Sequence, residues 1–207
     1  MTHRRSLIRR VGQVAGAFLL LGGGACFSKR VTRIEPSAVT DLSGRWNDTD
    51  SRLVANQLVE QSLASGWATR YAQLHGGDAP VVIVGSFANR TLEHIAVATF
   101  VKDIERAFVT TGVARVVSSG GERDALRAER KDQQQNARAD TRAQQGQEVG
   151  ARYALTGTLE SIEDVDGRER VVFYQIDASI VDLETNTKVW AGQHKIKKYV
   201  ERARFGL

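Results

Sequence analysis

The chain has 207 residues, 29 of them Lys or Arg and 24 Asp or Glu, for a formal net charge of +5, and it contains one cysteine. The charge excess sits at the start: residues 1–25 hold Arg4, Arg5, Arg9 and Arg10 and no acid, so the remainder carries 25 basic against 24 acidic groups. That near-balance removes any charge argument for a nucleic-acid partner. With a single cysteine, internal disulfides and cysteine-built metal sites are excluded.

Behind the basic head comes the apolar run Ala17-Phe18-Leu19-Leu20-Leu21, then Gly22-Gly23-Gly24-Ala25, then Cys26. A positive head, a short apolar stretch and small residues before a cut site describe a secretory signal peptide. The apolar run is too short to cross a bilayer stably. A lone cysteine at the cut site reads as a lipoprotein signal, with cleavage between Ala25 and Cys26 and lipid on the Cys26 thiol. In the plainer reading this is an ordinary leader and Cys26 is only a small apolar residue. Phe27 is not the aspartate that commonly retains lipoproteins at the inner membrane, so the expected location is the outer membrane, facing the periplasm. The expected organisation is a signal peptide over 1–25, a lipidated start and short flexible tether over 26–50, one folded domain over 51–200 and a tail over 201–207. About 180 residues after cleavage suit one domain with a sizeable core.

From Asp50 the pattern turns helical: Leu53, Val54, Leu58, Leu63 and Trp67 fall near one side of a helix that Asp50 or Ser51 could cap. Leu74 to Pro80 breaks it. Val81-Val82-Ile83-Val84-Gly85 is a β-branched run expected to form a strand buried on both faces. Asn89-Arg90-Thr91 reads as a turn and cap. Ile95, Val97, Val101, Ile104 and Phe108 then recur at helical spacing, and Gly112 closes the helix. Val113 to Val117 is a second short strand. Glu122 to Arg142 has Leu126 as its only large aliphatic residue, so it is a solvated helix or a mobile excursion. Gln144 to Gly150 is expected to close a short helix before the strand Tyr153–Leu159. Val171–Ile180 and Lys188–Gly192 are two further strands, joined through Glu184-Thr185-Asn186-Thr187 as a hairpin. The stretch from Lys195 to Leu207 is expected to fray.

This order predicts a single α/β domain with a mixed central sheet flanked by helices, its early strands parallel and its C-terminal strands antiparallel. An enzyme has little support. His3, His75, His94 and His194 are scattered without metal-ligand spacing, and neither a nucleophile elbow nor a phosphate-binding loop occurs. Asp164-Val165-Asp166-Gly167 starts like a calcium loop but lacks the later ligands, and reads as a hairpin turn. No catalytic residue, metal or cofactor is assigned. Trp46, Trp67 and Trp190 lie in apolar patterns and are expected in the core or lining a groove.

Two candidate partner-binding surfaces remain. One is the turn bearing Asn89, Arg90 and His94, at the end of a central strand where α/β sheets commonly present binding groups. The other is the row Arg123, Arg127 and Arg130, spaced to share one side of a helix. Glu122, Asp124 and Glu129 beside them describe a solvated, balanced face; a protein-docking face is the functional reading.

Four segments in order carry a family resemblance: Val82 to Thr91; Phe100 to Phe108 with Gly112; Gly150 to Gly157; and Val181-Asp182-Leu183-Glu184-Thr185-Asn186-Thr187-Lys188-Val189-Trp190. Together, behind a lipoprotein leader, they resemble the LpoB family of outer-membrane lipoproteins that activate penicillin-binding proteins. The resemblance spans about residues 40–200. It implies a domain similar to the TolB amino-terminal domain, held on the outer membrane by lipid. It also implies docking onto a bifunctional peptidoglycan synthase, whose output rises by allostery while the lipoprotein itself catalyses nothing. A rival within binding proteins is an assembly or secretion lipoprotein akin to the curli secretion subunit, which would be marked by membrane-inserting hairpins with long alternating apolar stretches. An enzyme with an unfamiliar site is the rival from another class, and it would require convergent acid, base or nucleophile residues.

Overall fold

The computed structural model describes residues 30–201. The chain divides into two compact units, residues 1–36 and 37–207. Of the first, residues 30–36 are described and contain no helix or strand; the expected signal peptide and Cys26 lie outside the described residues, as do 202–207. Among the described residues no helix is long and apolar enough to cross a membrane.

The second unit begins its packing earlier than residue 51. Helix α1 (Asp48–Ala64) opens on a capping box: the Asn47 side chain accepts from the Asp50 N–H at 3.1 Å, and the Asp50 carboxylate accepts from the Asn47 N–H at 2.8 Å. Trp46, just ahead of it, packs edge-on against Tyr174 with ring centroids 5.4 Å apart. The last part of the expected tether is therefore folded chain. Gly66, at φ 69°, ends α1 and starts a separate helix α2 (Trp67–Leu74), so Trp67 does not continue the first helix. The turn swings Trp67 onto Tyr153, centroids 5.5 Å apart, and buries it.

Strand β1 (Val81–Asn89) leads to α3 (Ala98–Thr111), β2 (Arg115–Val117), α4 (Gly120–Asn136), and then three long strands, β3 (Tyr153–Asp166), β4 (Glu169–Asp182) and β5 (Lys188–Glu201). They form one five-stranded sheet in the order β2-β1-β3-β4-β5. β1 is parallel to β2 and β3, whereas β3–β4 and β4–β5 are antiparallel. The mixed sheet of the sequence reading is the one observed.

Several local expectations fail for identifiable reasons. The Asn89 turn does not cap α3, which starts at Ala98 with Val97 as an N-cap that makes no side-chain bond. No helix forms over 144–150: Gly146 takes φ 74°, and residues 137–152 hold neither helix nor strand. Lys195 to Glu201 is not frayed, because thirteen aligned pairs hold β5 to β4 along its length. Gly112 does close α3, in the left-handed conformation at φ 66°.

Strand alternation separates the two faces of the sheet. Val82 lies beside Tyr153, Val84 beside Leu155, Leu155 beside Ile180 and Ile180 beside Trp190, and all are buried. Val54 and Leu58 of α1 and Phe100, Ile104 and Phe108 of α3 cover this face. Each such burial contributes about 1.5–3 kcal/mol. The other face is not covered by the core helices: Ile83 is only half-buried, and Ile162 and Tyr199 are exposed. The apolar run of β1 is thus buried on one face, not two. α4 buries none of its residues.

β1 contains an irregularity between Val84 and Phe87, where its register with β3 shifts. Gly157 on β3 makes room for the shifted Phe87, whose ring meets Phe100 edge-on with centroids 5.4 Å apart. β1 thereby stays in the sheet as far as Asn89 and presents the following turn at its C-terminal end.

Candidate functional site

The β1–α3 turn is built by short polar side chains. Asn89 Oδ1 accepts from the Thr91 N–H at 3.0 Å and from the Thr91 hydroxyl at 2.8 Å, while Asn89 Nδ2 donates to the Glu93 carbonyl at 2.8 Å. The Arg90 N–H donates to the Leu159 carbonyl at 2.8 Å, and its guanidinium lies 3.4 Å from Glu160. The turn is therefore preorganised, with the Arg90 side chain mostly in water. Leu92 beside it is fully exposed.

Beneath the turn lies a cleft of about 590 Å3 between the amino ends of α1 and α3, lined by Trp46, His94, Ile95 and Thr99 among others. Glu93 reaches inward from the turn. Its carboxylate accepts from the Tyr174 hydroxyl at 2.6 Å and from the Trp46 N–H at 3.1 Å, and the Arg170 guanidinium lies 3.7 Å away. Burial first, and then the hydrogen bond to Glu93, push the Tyr174 phenol well above its ordinary range. Tyr174 thus stays protonated and serves as a fixed donor. The arrangement ties the pre-α1 segment, the turn and β4 together. Glu93 and Tyr174 were not singled out from the sequence. Glu93 is an ordinary acid in a polar stretch, and its importance depends on Tyr174, 81 residues later.

The α4 surface is organised differently. Arg127 Nε and Nη2 donate to the two oxygens of Glu148 at 3.0 and 2.9 Å, and Arg130 Nη1 donates to the same carboxylate at 2.6 Å. The side-chain bonds from Arg127 and Arg130 hold the Glu148 carboxyl down at about 2. Glu122 turns away toward Lys102, at 3.5 Å. The row is thus not balanced mainly by Glu122, Asp124 and Glu129; the acid that matters lies across the 137–152 loop. Arg123 Nε donates to the Ser118 carbonyl at 2.9 Å. His94 lines the cleft beneath the turn, whereas Asn89 and Arg90 stand in the turn itself, with Arg90 directed toward Glu160. Arg123, Arg127 and Arg130 line one cleft beside the sheet. The two surfaces lie at opposite ends of β1, one beyond Asn89 and the other beside Ile83. Among the described residues no group of three or more His, Cys, Asp or Glu is placed to hold a metal ion.

A mixed five-stranded sheet with core helices on one face, a rigid turn beyond β1 and a long antiparallel wing defines the class as a single-sheet α/β domain. Residues 50–196 match the family model of the peptidoglycan-synthase activator LpoB, and the chain belongs to that family. The solved structure of LpoB from E. coli is 14% identical over 97% of this chain and 96% of that one, with a TM-score of 0.38. The LpoB C-terminal domain from Salmonella enterica is 17% identical over 65% and 95%, with a TM-score of 0.33. The lipoprotein GNA1162 from Neisseria meningitidis is 15% identical over 61% and 88%, with a TM-score of 0.39. No curated protein matches the chain in sequence.

Proposed function

We propose that this protein is a lipid-anchored regulator on the periplasmic side of the outer membrane that binds a bifunctional penicillin-binding protein and raises its peptidoglycan synthesis. The observation that carries this reading is membership of the peptidoglycan-synthase activator family over residues 50–196. The leader and Cys26 support the anchor, and Cys26→Ser is expected to abolish palmitate incorporation and membrane retention. The protein acts as a regulator rather than an enzyme: it favours the synthase conformation that it binds more tightly, and the shift is limited by that difference in affinity.

The docking surface in this reading is the turn bearing Asn89, Arg90 and His94. Its backbone is held before binding, so little order need be lost on association, and Arg90 offers a fork of donors to a carboxylate. The test uses the purified chain starting after Cys26 and the organism's bifunctional synthases, with binding and glycan polymerisation measured together. Wild type is expected to bind one of them and speed polymerisation. Arg90→Glu is expected to weaken binding more than Arg127→Glu. If wild type neither binds nor alters polymerisation by any synthase, the activator reading fails.

A further inference from the structure

The cleft between α4 and the sheet is a separate site from the β1–α3 turn. It has a volume of about 630 Å3 and lies beside Ile83, which belongs to the sheet face the core helices leave open. Four arginines line it, Arg115, Arg123, Arg127 and Arg130, with Glu148 as the single acid of the lining. Arg127 and Arg130 are both used by Glu148. Arg123 spends only its Nε, on the Ser118 carbonyl, and Arg115 makes no side-chain hydrogen bond among the described residues. Between these charges the wall is apolar, formed by Ile83, Val117, Leu126 and Val149. Arg115 and Arg123 bring positive charge to a partly apolar cleft whose one lining acid, Glu148, is engaged by Arg127 and Arg130. An anionic occupant resolves that imbalance.

The chain's own occupant shows what fits. Glu148 enters the cleft from irregular chain, its carboxylate clasped by two arginines beside the apolar lining to which Val149 belongs. We infer that this cleft is a binding site for an acidic, extended peptide segment of a protein partner, one that alternates carboxylate and aliphatic side chains. Its first carboxylate is received by Arg115 and Arg123, and a second competes with Glu148 for Arg127 and Arg130. Arginine is suited to this because its planar fork matches a carboxylate. Glu148, on the same chain, acts as a tethered competitor at high effective concentration and sets the threshold for binding. A membrane surface is the poorer fit: beyond the leader the chain carries 25 basic against 24 acidic groups, and the arginines gather around one partly apolar cleft instead of spreading over a face.

The inference is tested with the full-length chain in detergent and a fluorescein-labelled peptide of alternating Glu and Val, read by fluorescence anisotropy. A Gln-Val peptide and phosphatidylglycerol vesicles serve as the other arms. Wild type is expected to bind the Glu-Val peptide and not the Gln-Val one. Arg115→Glu and Arg123→Glu should each weaken binding about tenfold or more, the scale of a lost charge-assisted hydrogen bond. Glu148→Gln should tighten it several-fold by freeing Arg127 and Arg130. That gain cannot come from misfolding, and Arg115→Glu keeps the backbone bond from the residue 115 N–H to the Pro80 carbonyl while removing a side chain that makes no hydrogen bond among the described residues. Failure of both wild type and Glu148→Gln to bind the peptide would overturn the inference. So would equal binding of the Gln-Val peptide, unchanged binding by the arginine variants, or capture on the vesicles without peptide binding.

Discussion

Lys198 Nζ lies 2.7 Å from Oδ2 of Asp50, across 148 positions of sequence, and also donates to the Arg45 carbonyl at 3.1 Å and to Asp41 at 3.2 Å. One ammonium thereby fastens the start of α1 and the segment before it to the outermost strand. Asp50 is almost fully buried and serves α1 as a capping residue at the same time. Gly44 packs against Val200 two residues further along β5, so the clasp and the packing reinforce each other.

Replacing Lys198 by Met leaves the Asp50 carboxylate buried without its counter-charge. The expected loss is about 3–5 kcal/mol of unfolding free energy, the cost of removing one partner from a buried pair. The double change Lys198→Met with Asp50→Asn should recover part of it. Urea unfolding decides: a loss below about 1 kcal/mol would place the pair among exposed ion pairs.

Ile104 and Ile83 should separate in the same assay. Ile104 on α3 is 2% exposed and packs against the covered face of the sheet, so Ile104→Ala should cost about 2–5 kcal/mol. Ile83 sits on the open face, and Ile83→Ala should cost nearer 1 kcal/mol. Equal losses would mean that both faces of the sheet are sealed.

A Cβ on Gly157 would strike the Phe87 ring and come within 2.5 Å of the Asp177 carbonyl. Neither the ring nor the strand can retreat freely. Gly157→Ala should therefore destabilise the domain by about 1–3 kcal/mol, as overpacking does. A thermal midpoint unchanged from wild type would show that the β1 irregularity relaxes without cost.

Acidification should loosen the 137–152 loop before it unfolds the sheet. The Glu148 carboxyl is depressed to about 2 by Arg127 and Arg130, so its contribution is fully present above its ordinary value near 4.5. That contribution is lost as the pH falls from there through about 2. Hydrogen exchange at α4 and the loop should rise in that window while β3 and β4 stay protected. In Arg127→Gln the same loosening should be smaller and complete at a higher pH, because the folded carboxyl is depressed less. Exchange that rises equally in all elements would refute a local role for Glu148.

Much of the architecture was legible in the amino-acid order, because it follows from local rules. Val81–Val84, the helical spacing through Val101, Ile104 and Phe108, Gly112 and the apolar run of Val171–Ile180 each have a period or a backbone preference readable over a few residues. Their order then admits few topologies, and the mixed sheet was among them. The elements at fault were those whose outcome depends on distant contacts. The stretch 41–49 reads as tether, apart from Trp46, until Tyr174 and Lys198 arrive from the far end of the chain to hold Trp46, Asp41 and Asp50. The strand after Lys195 looks like a basic tail until β4 supplies its hydrogen-bond partners.

The candidate sites divide in the same way. Asn89, Arg90 and His94 could be found by reading, because a turn announces itself through short polar residues beside a strand. Arg123, Arg127 and Arg130 could be found as a row. The acid partner of Arg127 and Arg130 could not, since Glu148 lies 18 residues beyond Arg130 with a loop of no regular structure between them. Sequence by itself determined the helices and strands that carry their own period, such as β1, α3 and the start of β3, since hydrophobic period and backbone preference act over a few positions. Only the tertiary structure decided which charges are clasped, which are free and which sheet face stays open, because electrostatic pairing and burial depend on distances that chain order does not encode.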